Sequence, residues 1–242
     1  MEIIKIDAIG STNSYLKDLL LKESLDKPLV VQTQDQFGGR GQRGNTWVSE
    51  PGKNLTFSVL WPFEGLPAQD QFQVNMAVSL ALFKVLNDYE LPDVKVKWPN
   101  DILSGNTKIC GILIENLLRG PYLAHSIIGI GLNVNQRSFI GLPKANSMAG
   151  VMRHSYDLDT VLMALLMALE DNLKDIQLHG KALKQTYEHH LFRKGEPVVF
   201  DLSSGETLEG TIMGVTDLGQ LRVLPTNGFE RRFGFQEIKL RY

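Results

Sequence analysis

The sequence has one cysteine, Cys110, in 242 residues. One thiol excludes an internal disulfide framework, and no Cys/His cluster stands at zinc-ligand spacing. A reducing, cytoplasmic setting is therefore expected. Long apolar runs are missing too: none approaches the roughly 20 residues that span a bilayer. The longest, Val161 to Leu169, stops at Glu170 and Asp171, so it reads as a buried helix and no membrane partner is expected. The first twenty residues carry Glu2 and Asp7 and lack the basic-then-apolar order of a secretory signal. Nor is there an excess of one charge, because 25 Lys plus Arg face 27 Asp plus Glu for a net −2. That excludes a protein coated with cations for nucleic acid. The five histidines have neither metal nor triad spacing, and no repeat occurs. What remains, 43% hydrophobic and 21% charged, is a globular composition with room for a large core.

Ser11 to Glu23 carries Tyr15, Leu16, Leu19 and Leu20 at helical spacing behind a Ser11 or Thr12 cap, so a helix is expected to start the fold. Strands are predicted at Leu29 to Gln34, Leu55 to Trp61, Val94 to Trp98, Lys108 to Glu115 and Ser126 to Val134. Helices are predicted at Gln71 to Tyr89, Asp157 to Leu178 and Lys181 to His190. The later strands are joined by links too short for crossover helices, which predicts a mainly antiparallel sheet. After Gly195 the runs PVVFDL, TLEGTIMGV, QLRVLP, FERRFGF and EIKLR have the spacing of a small β-barrel. The boundary is set at residue 193, giving units 1–193 and 194–242.

Four segments could carry chemistry. In QFGGRGQRGNTW, Gly39, Gly41 and Gly44 satisfy the GxGxxG spacing, but Asn45 to Gly52 does not open a helix, which rejects a dinucleotide fingerprint. Arg40 and Arg43 instead put guanidinium groups on a glycine backbone that can close over a phosphate. In KWPNDI, Lys97 to Ile102, a turn at Asn100 and Asp101 fixes a carboxylate at a strand end, fit for a metal ion or a hydroxyl. In KICGILIE, Lys108 stands at the edge of an apolar strand, where a fixed positive charge is strongest. Gly111 suggests close approach of a ligand or another backbone, and Cys110 has no histidine to activate it. In GIGLNVN, Gly129 leaves the strand surface bare and Asn133 supplies an amide.

In this order, these four motifs resemble the signature of biotin protein ligases. The match extends to Ser11, Thr12 and Asn13, to Gln36 before the glycine loop, and to the terminal barrel, covering nearly the whole chain. It implies an α+β fold of the class II aminoacyl-tRNA synthetase-like, biotin–lipoate ligase type: a mainly antiparallel mixed sheet with helices packed on it, followed by a small SH3-like barrel. It also implies a ligase that joins biotin to MgATP as biotinyl-5′-AMP, releasing pyrophosphate, and then transfers biotin to a lysine of a biotin carboxyl carrier protein.

The resemblance implies roles residue by residue. Biotin would be held by Ser11, Thr12, Asn13, Gln36, Gly39, Arg40, Gly111 and Gly129. ATP and the adenylate would meet Arg40, Arg43, Trp47, Asn100, Lys108 and Asn133. Lys108, Arg40 and Asp101 would be catalytic, and Asp101 would also position Mg²⁺, ribose or the incoming lysine. The loop departs from the family's GRGRxGRxW in having Gln42 and Asn45 for two arginines, which weakens the closure over the adenylate. Only ten residues precede Ser11, so the short form without a DNA-binding unit is expected, and an exposed sheet edge is expected to pair two copies. Two other readings stay open: a lipoate–protein ligase, which shares the fold and adenylation chemistry, and a non-catalytic binding module. The latter would leave Arg40, Lys108 and Asp101 together without a reason.

Overall fold

A computed structural model describes residues 1–174 and 176–242, without the side chains of Arg43 and Gln177. The elements run β1 (Glu2–Ile9), α1 (Thr12–Leu20), β2 (Leu29–Gln36), β3 (Leu55–Pro62), α2 (Phe72–Asp88), β4 (Val94–Lys97), β5 (Asp101–Ser104), β6 (Thr107–Arg119), β7 (Tyr122–Leu132) and α3 (Met148–Met152). There follow α4 (Leu158–Lys174), α5 (Gly180–His189), β8 (Pro197–Leu202), β9 (Thr207–Val215), β10 (Leu221–Pro225), β11 (Arg231–Phe233) and β12 (Ile238–Leu240). Seven strands form one sheet in the order β1-β2-β3-β7-β6-β5-β4, and five form a second, β11-β10-β9-β8-β12. Only β1 and β2 run parallel, with α1 as their crossover; the other pairs are antiparallel. The fold is α+β, and the second sheet is consistent with an SH3-like domain.

The large sheet is covered on both faces, and the two-residue period of its strands separates what each face meets. On β3, Leu55, Phe57, Val59 and Trp61 join the main core with α2 and α4. The alternate positions Thr56, Ser58 and Leu60 point the other way, and Leu60 packs with Leu16 of α1, Leu29, Val31 and Ile127. Because α1 is only nine residues long, it covers part of that second face. The uncovered part is where the cavity lies.

The small sheet is joined to the large one by a shared core. Phe200, Ile212, Leu221 and Phe233 belong to the same apolar cluster as α2 and α4. Trp98 is buried, donates from Nε1 to the Gly219 carbonyl at 2.9 Å and meets the Phe235 ring edge-on at 5.4 Å. Gly219, at φ +83°, lies so close to Phe72 that a Cβ there would come within 2.3 Å of its ring. The link between the sheets is tied down as well, since Val96 donates to the His190 carbonyl and Phe192 donates to that of Val96.

Three expectations are corrected, and one element lies beyond them. The fold starts with a strand, because the β-branched Ile3, Ile4, Ile6 and Ile9 pair Glu2–Ile9 beside β2. Asp101 opens a strand and does not end in a free turn: the four residues of β5 are too few to show a period, yet all are buried. The short α3, capped by Ser147, has no counterpart in the predicted elements. Helix α4 buries one face only, with Met163 and Met167 half-exposed or more. Among the described residues, no helix is long and apolar enough to cross a membrane.

In the small sheet, hydrogen bonds from Arg241 and Arg222 hold the Asp201 and Glu230 carboxyls below their ordinary 3.8 and 4.5. A carboxyl whose pKa is lower in the folded state contributes stability in full above its unfolded value and loses it as pH falls through the folded one. Asp201→Asn with Glu230→Gln is therefore expected to flatten the decline in stability below about pH 4.5 while lowering stability at neutral pH. Urea midpoints taken across that range check this, and an unaltered acid slope would refute it.

Candidate active site

Two rows of cross-strand partners build the floor of a cavity of about 710 Å³. Asp101, Gly111, Gly131 and Thr56 are successive partners across β5, β6, β7 and β3. Two residues further along, Leu113, Gly129 and Ser58 form the next row on the same face. Three of these positions have no side chain, and the space is used. The Trp47 indole lies across the Gly111–Gly131 pair, where a Cβ on Gly131 would come within 2.3 Å of the ring and one on Gly111 within 3.1 Å. A Cβ on Gly129 would strike Asn13 Oδ1 at 2.5 Å.

The glycine loop sets Trp47 on this surface. It closes as a short hairpin in which Gly41 N–H donates to the Asn45 carbonyl at 2.7 Å and Trp47 N–H to that of Gly39 at 3.0 Å. A Cβ on Gly39 would meet the Trp47 carbonyl at 2.4 Å, so the loop cannot close there with a larger residue. The side chain of Arg43 lies outside the described residues.

At one end of the floor, α1 presents hydroxyls and amides. Ser11 caps the helix by accepting from Ser14 N–H. Gln36 Oε1 accepts from Thr12 N–H at 2.9 Å. Ser58 donates its hydroxyl to Asn13 Oδ1 at 2.5 Å, which makes Thr12 the donor in its 2.6 Å contact with Ser58. Asn13 Nδ2 in turn donates to Glu115 at 2.8 Å. The Asn13 amide is thereby committed to protein partners on both sides, and Glu115 also receives Arg40 at 3.3 Å.

At the other end the groups are charged. Asp101, nine-tenths buried, takes Lys108 on Oδ1 at 2.6 Å and Lys97 on Oδ2 at 3.1 Å. Lys108 reaches this face because β6 carries a bulge: Ile102 pairs with Cys110 but Leu103 with Lys108. Ile109 and Cys110 therefore both enter the main core, and the alternation is reset so that Lys108 shares a face with Gly111. Its Nζ stands 5.6 Å from the Trp47 ring centroid. Cys110 is packed in the core, and burial pushes its thiol far above its ordinary range.

Of the residues singled out from the sequence, Ser11, Thr12, Asn13, Gln36 and Gly129 line one end of this cavity. Arg40, Trp47, Asn100, Asp101, Lys108 and Gly111 line the rest of it. Asn100 also ties the turn to β6 through mutual bonds with Ile112. Asn133 does not reach the cavity: it is buried and donates to the Asn146 carbonyl at 2.9 Å, bracing the loop after β7. Ser58, Glu115 and Gly131 were not singled out. Ser58 interrupts the apolar run LTFSVLW at an alternate position, and Gly131 stands two residues from Gly129, so both left a signal. Glu115 left only its charge at the end of KICGILIE.

The Asp101 carboxylate, expected to position Mg²⁺, ribose or the incoming lysine, is already engaged. Both carboxylate oxygens are ion-paired to lysines, and among the described residues no group of three His, Cys, Asp or Glu could hold an ion.

The sheet face is bare, with hydroxyls and amides at one end and lysines at the other, an arrangement that suits an extended molecule with an anionic terminus. The chain belongs to the biotin/lipoate A/B protein ligase family, whose model matches residues 6–133, just over half its length. It is 31% identical over 219 residues to the biotin--[acetyl-CoA-carboxylase] ligase of Paracoccus denitrificans, covering 87% of this chain and 89% of that one. It is 28% identical over 234 residues to the bifunctional ligase/repressor BirA of Bacillus spizizenii, covering 95% and 71%. Its structure matches the biotin protein ligase from Aquifex aeolicus in complex with biotin and ATP with a TM-score of 0.81 and 26% identity, over 99% of this chain and 98% of that one.

Gly131→Ala should displace Trp47, because the new Cβ meets ring atoms at 2.3 to 2.7 Å and the glycine loop loses its apolar anchor. Trypsin cleavage at Arg40 in the free protein is expected to accelerate about tenfold or more, as for a segment released from its packing. Cleavage at the unaltered rate would show that the indole does not hold the loop.

Proposed function

We propose that this chain is a biotin protein ligase, which activates biotin with ATP and transfers the biotinyl group to a lysine of a carrier protein of the carboxylase type. The observation that carries this reading is the glycine-floored cavity, with uncharged hydrogen-bonding groups at one end and cations at the other, in a chain similar along nearly its whole length to such ligases. The hydroxyl and amide end suits the neutral ureido ring of biotin, with Thr12 and Gln36 as its partners. Asn13, whose amide is already committed, acts by holding Ser58 and Glu115. Gly111 and Gly131 seat the Trp47 indole against the sheet and Gly129 seats the Asn13 amide, and Trp47 offers its other face to adenine.

A carboxylate is a poor electrophile, and making it a mixed anhydride with AMP gives it a good leaving group. The carboxylate oxygen attacks the α-phosphorus, and the bond to the β-phosphate oxygen breaks with its electron pair leaving on pyrophosphate. Two anions meet in this step, so cations aimed at the developing charge supply the acceleration. Lys108, held by Asp101 in a partly buried pair, is the fixed one. Arg40 starts on Glu115 and is the mobile one, released to the adenylate when the loop closes. In the second step a carrier lysine, as the free amine, attacks the acyl carbon, AMP leaves, and the amine gives up a proton. Mg²⁺ would arrive with the ATP phosphates, since Asp101 is engaged by two lysines.

Residues 1–193 form the ligase unit in this reading, and 194–242 the barrel that closes its nucleotide end. The outer edge of β1 is the surface we assign to a homodimer. DNA is not among the partners we assign, because Arg222 and Arg241 of the barrel are engaged by Glu230 and Asp201. A cytoplasmic location fits the lone buried thiol.

Pyrophosphate exchange into ATP is expected with biotin and not with lipoate; dependence on lipoate, or on neither acid, would overturn the reading. In single-turnover formation of biotinyl-5′-AMP, Lys108→Ala is expected to lower the rate on the order of 10² to 10³ while biotin binding changes little, as for loss of one electrostatic donor that acts in the transition state. An unaltered rate would remove Lys108 from the mechanism.

A further inference from the structure

The cationic end of the cavity holds more lysines than the step above uses. Lys97, Lys108, Lys144 and Lys239 all line it, and among the described lining side chains Asp101 is the only carboxylate. Like charges gathered at one opening repel unless a polyanion joins them, so the chemistry of this end is that of a ligand with several negative charges. Lys144 is brought there by the main chain. Its carbonyl accepts from Lys108 N–H at 2.7 Å, Asn146 N–H donates to the Lys108 carbonyl at 3.0 Å, and Ala145 bridges Lys108 in parallel. The segment thus runs alongside the first turn of backbone in β6 and sets Lys144 next to Lys108.

Tyr242, contributed by the small sheet's side of the cavity, organises two of these lysines. Its ring centroid lies 5.3 Å from Lys97 Nζ and 4.2 Å from Lys144 Nζ. Lys144 Nζ also donates to the Tyr242 main-chain oxygen, and Phe192 packs edge-on against the ring at 5.4 Å. Lysine side chains are long and lose considerable rotamer freedom when fixed; a ring face and a main-chain oxygen between them limit that loss beforehand. Each ammonium has three donors, so one bond to Tyr242 leaves Lys144 two for a ligand. Burial keeps the Tyr242 phenol neutral by raising its pKa, and Asp101 acts in the same direction, so the ring adds no negative charge of its own.

We propose that Tyr242 is a positioning residue that holds Lys97 and Lys144 as a clamp on the β- and γ-phosphates of ATP and on the pyrophosphate that leaves. This rests on the ligase reading above. The two lysines meet charge that builds on the bridging oxygen as the α-phosphorus bond breaks, and that charge is absent once biotinyl-5′-AMP has formed. The clamp therefore belongs to the first half-reaction alone.

The test uses the full chain with Lys144→Ala, Tyr242→Ala and Tyr242→Phe. In biotin-dependent pyrophosphate exchange, Lys144→Ala and Tyr242→Ala are each expected to raise the KM for ATP about tenfold, the scale of one lost charge-assisted contact. Tyr242→Phe, which keeps the ring, should recover most of that affinity. Transfer from purified biotinyl-5′-AMP to a carrier domain should change by a much smaller factor in all three. The clamp is overturned if the KM for ATP stays put in both alanine variants, if transfer falls by the same factor as exchange, or if phenylalanine is as damaging as alanine. Should the unaltered chain show no exchange with any acid, the ligase reading fails instead. Equilibrium binding of inorganic triphosphate then decides the clamp: about tenfold weaker binding to Lys144→Ala supports it, and equal binding refutes it.

Discussion

The site depends on a patch of sheet that has no side chains. Gly111 and Gly131 are direct partners on neighbouring strands, and Gly129 extends the bare area toward α1. Cβ atoms at these points would occupy the volume of Trp47 and of the Asn13 amide. Removing them lets an indole lie flat on backbone, which fixes the glycine loop, which in turn brings Arg40 over the same cavity. The cavity exists because a nine-residue helix covers only part of one face of the sheet, whose opposite face is closed by α2 and α4.

Two carboxylates hold the cations around that patch. Asp101 gathers Lys97 and Lys108, and Glu115 gathers Arg40 and the Asn13 amide. Both pairs are partly buried, where opposite charges interact more strongly than in water, but they differ in what they connect. Asp101 and Lys108 sit on adjacent strands of one sheet and are rigid together. Glu115 is on the sheet and Arg40 is on the loop, so that pair can exchange partners without disturbing the fold.

The KWPNDI segment shows how one motif serves both packing and chemistry. Lys97 and Asp101 face the cavity, while Trp98 turns away to bond Gly219 and pack on Phe235. A change at Trp98 would thus reach the site through the docking of the small sheet, which also carries Tyr242 and Lys239. The second sheet is part of the same core and lines the same cavity.

From the sequence alone, the large elements, the strand-rich C-terminal segment and most of the cavity residues could be read, because hydrophobic period and turn residues are local properties. So could the glycines, whose spacing on β7 and β6 marks a bare face. The first strand could not: β1 has no buried face of its own, and its conformation comes from pairing with β2. Nor could the aim of Lys108, since a bulge reverses the alternation that the sequence implies and is decided by how β5 registers against β6. Asn133 looked like a ligand group and is a brace, because its amide meets a carbonyl thirteen residues away. Tyr242 carries no signal at all in its neighbours. Residue types, periods and the charges available were determined by the sequence; which of those charges meet, and around what empty space, was decided only by tertiary contacts between residues distant in the chain.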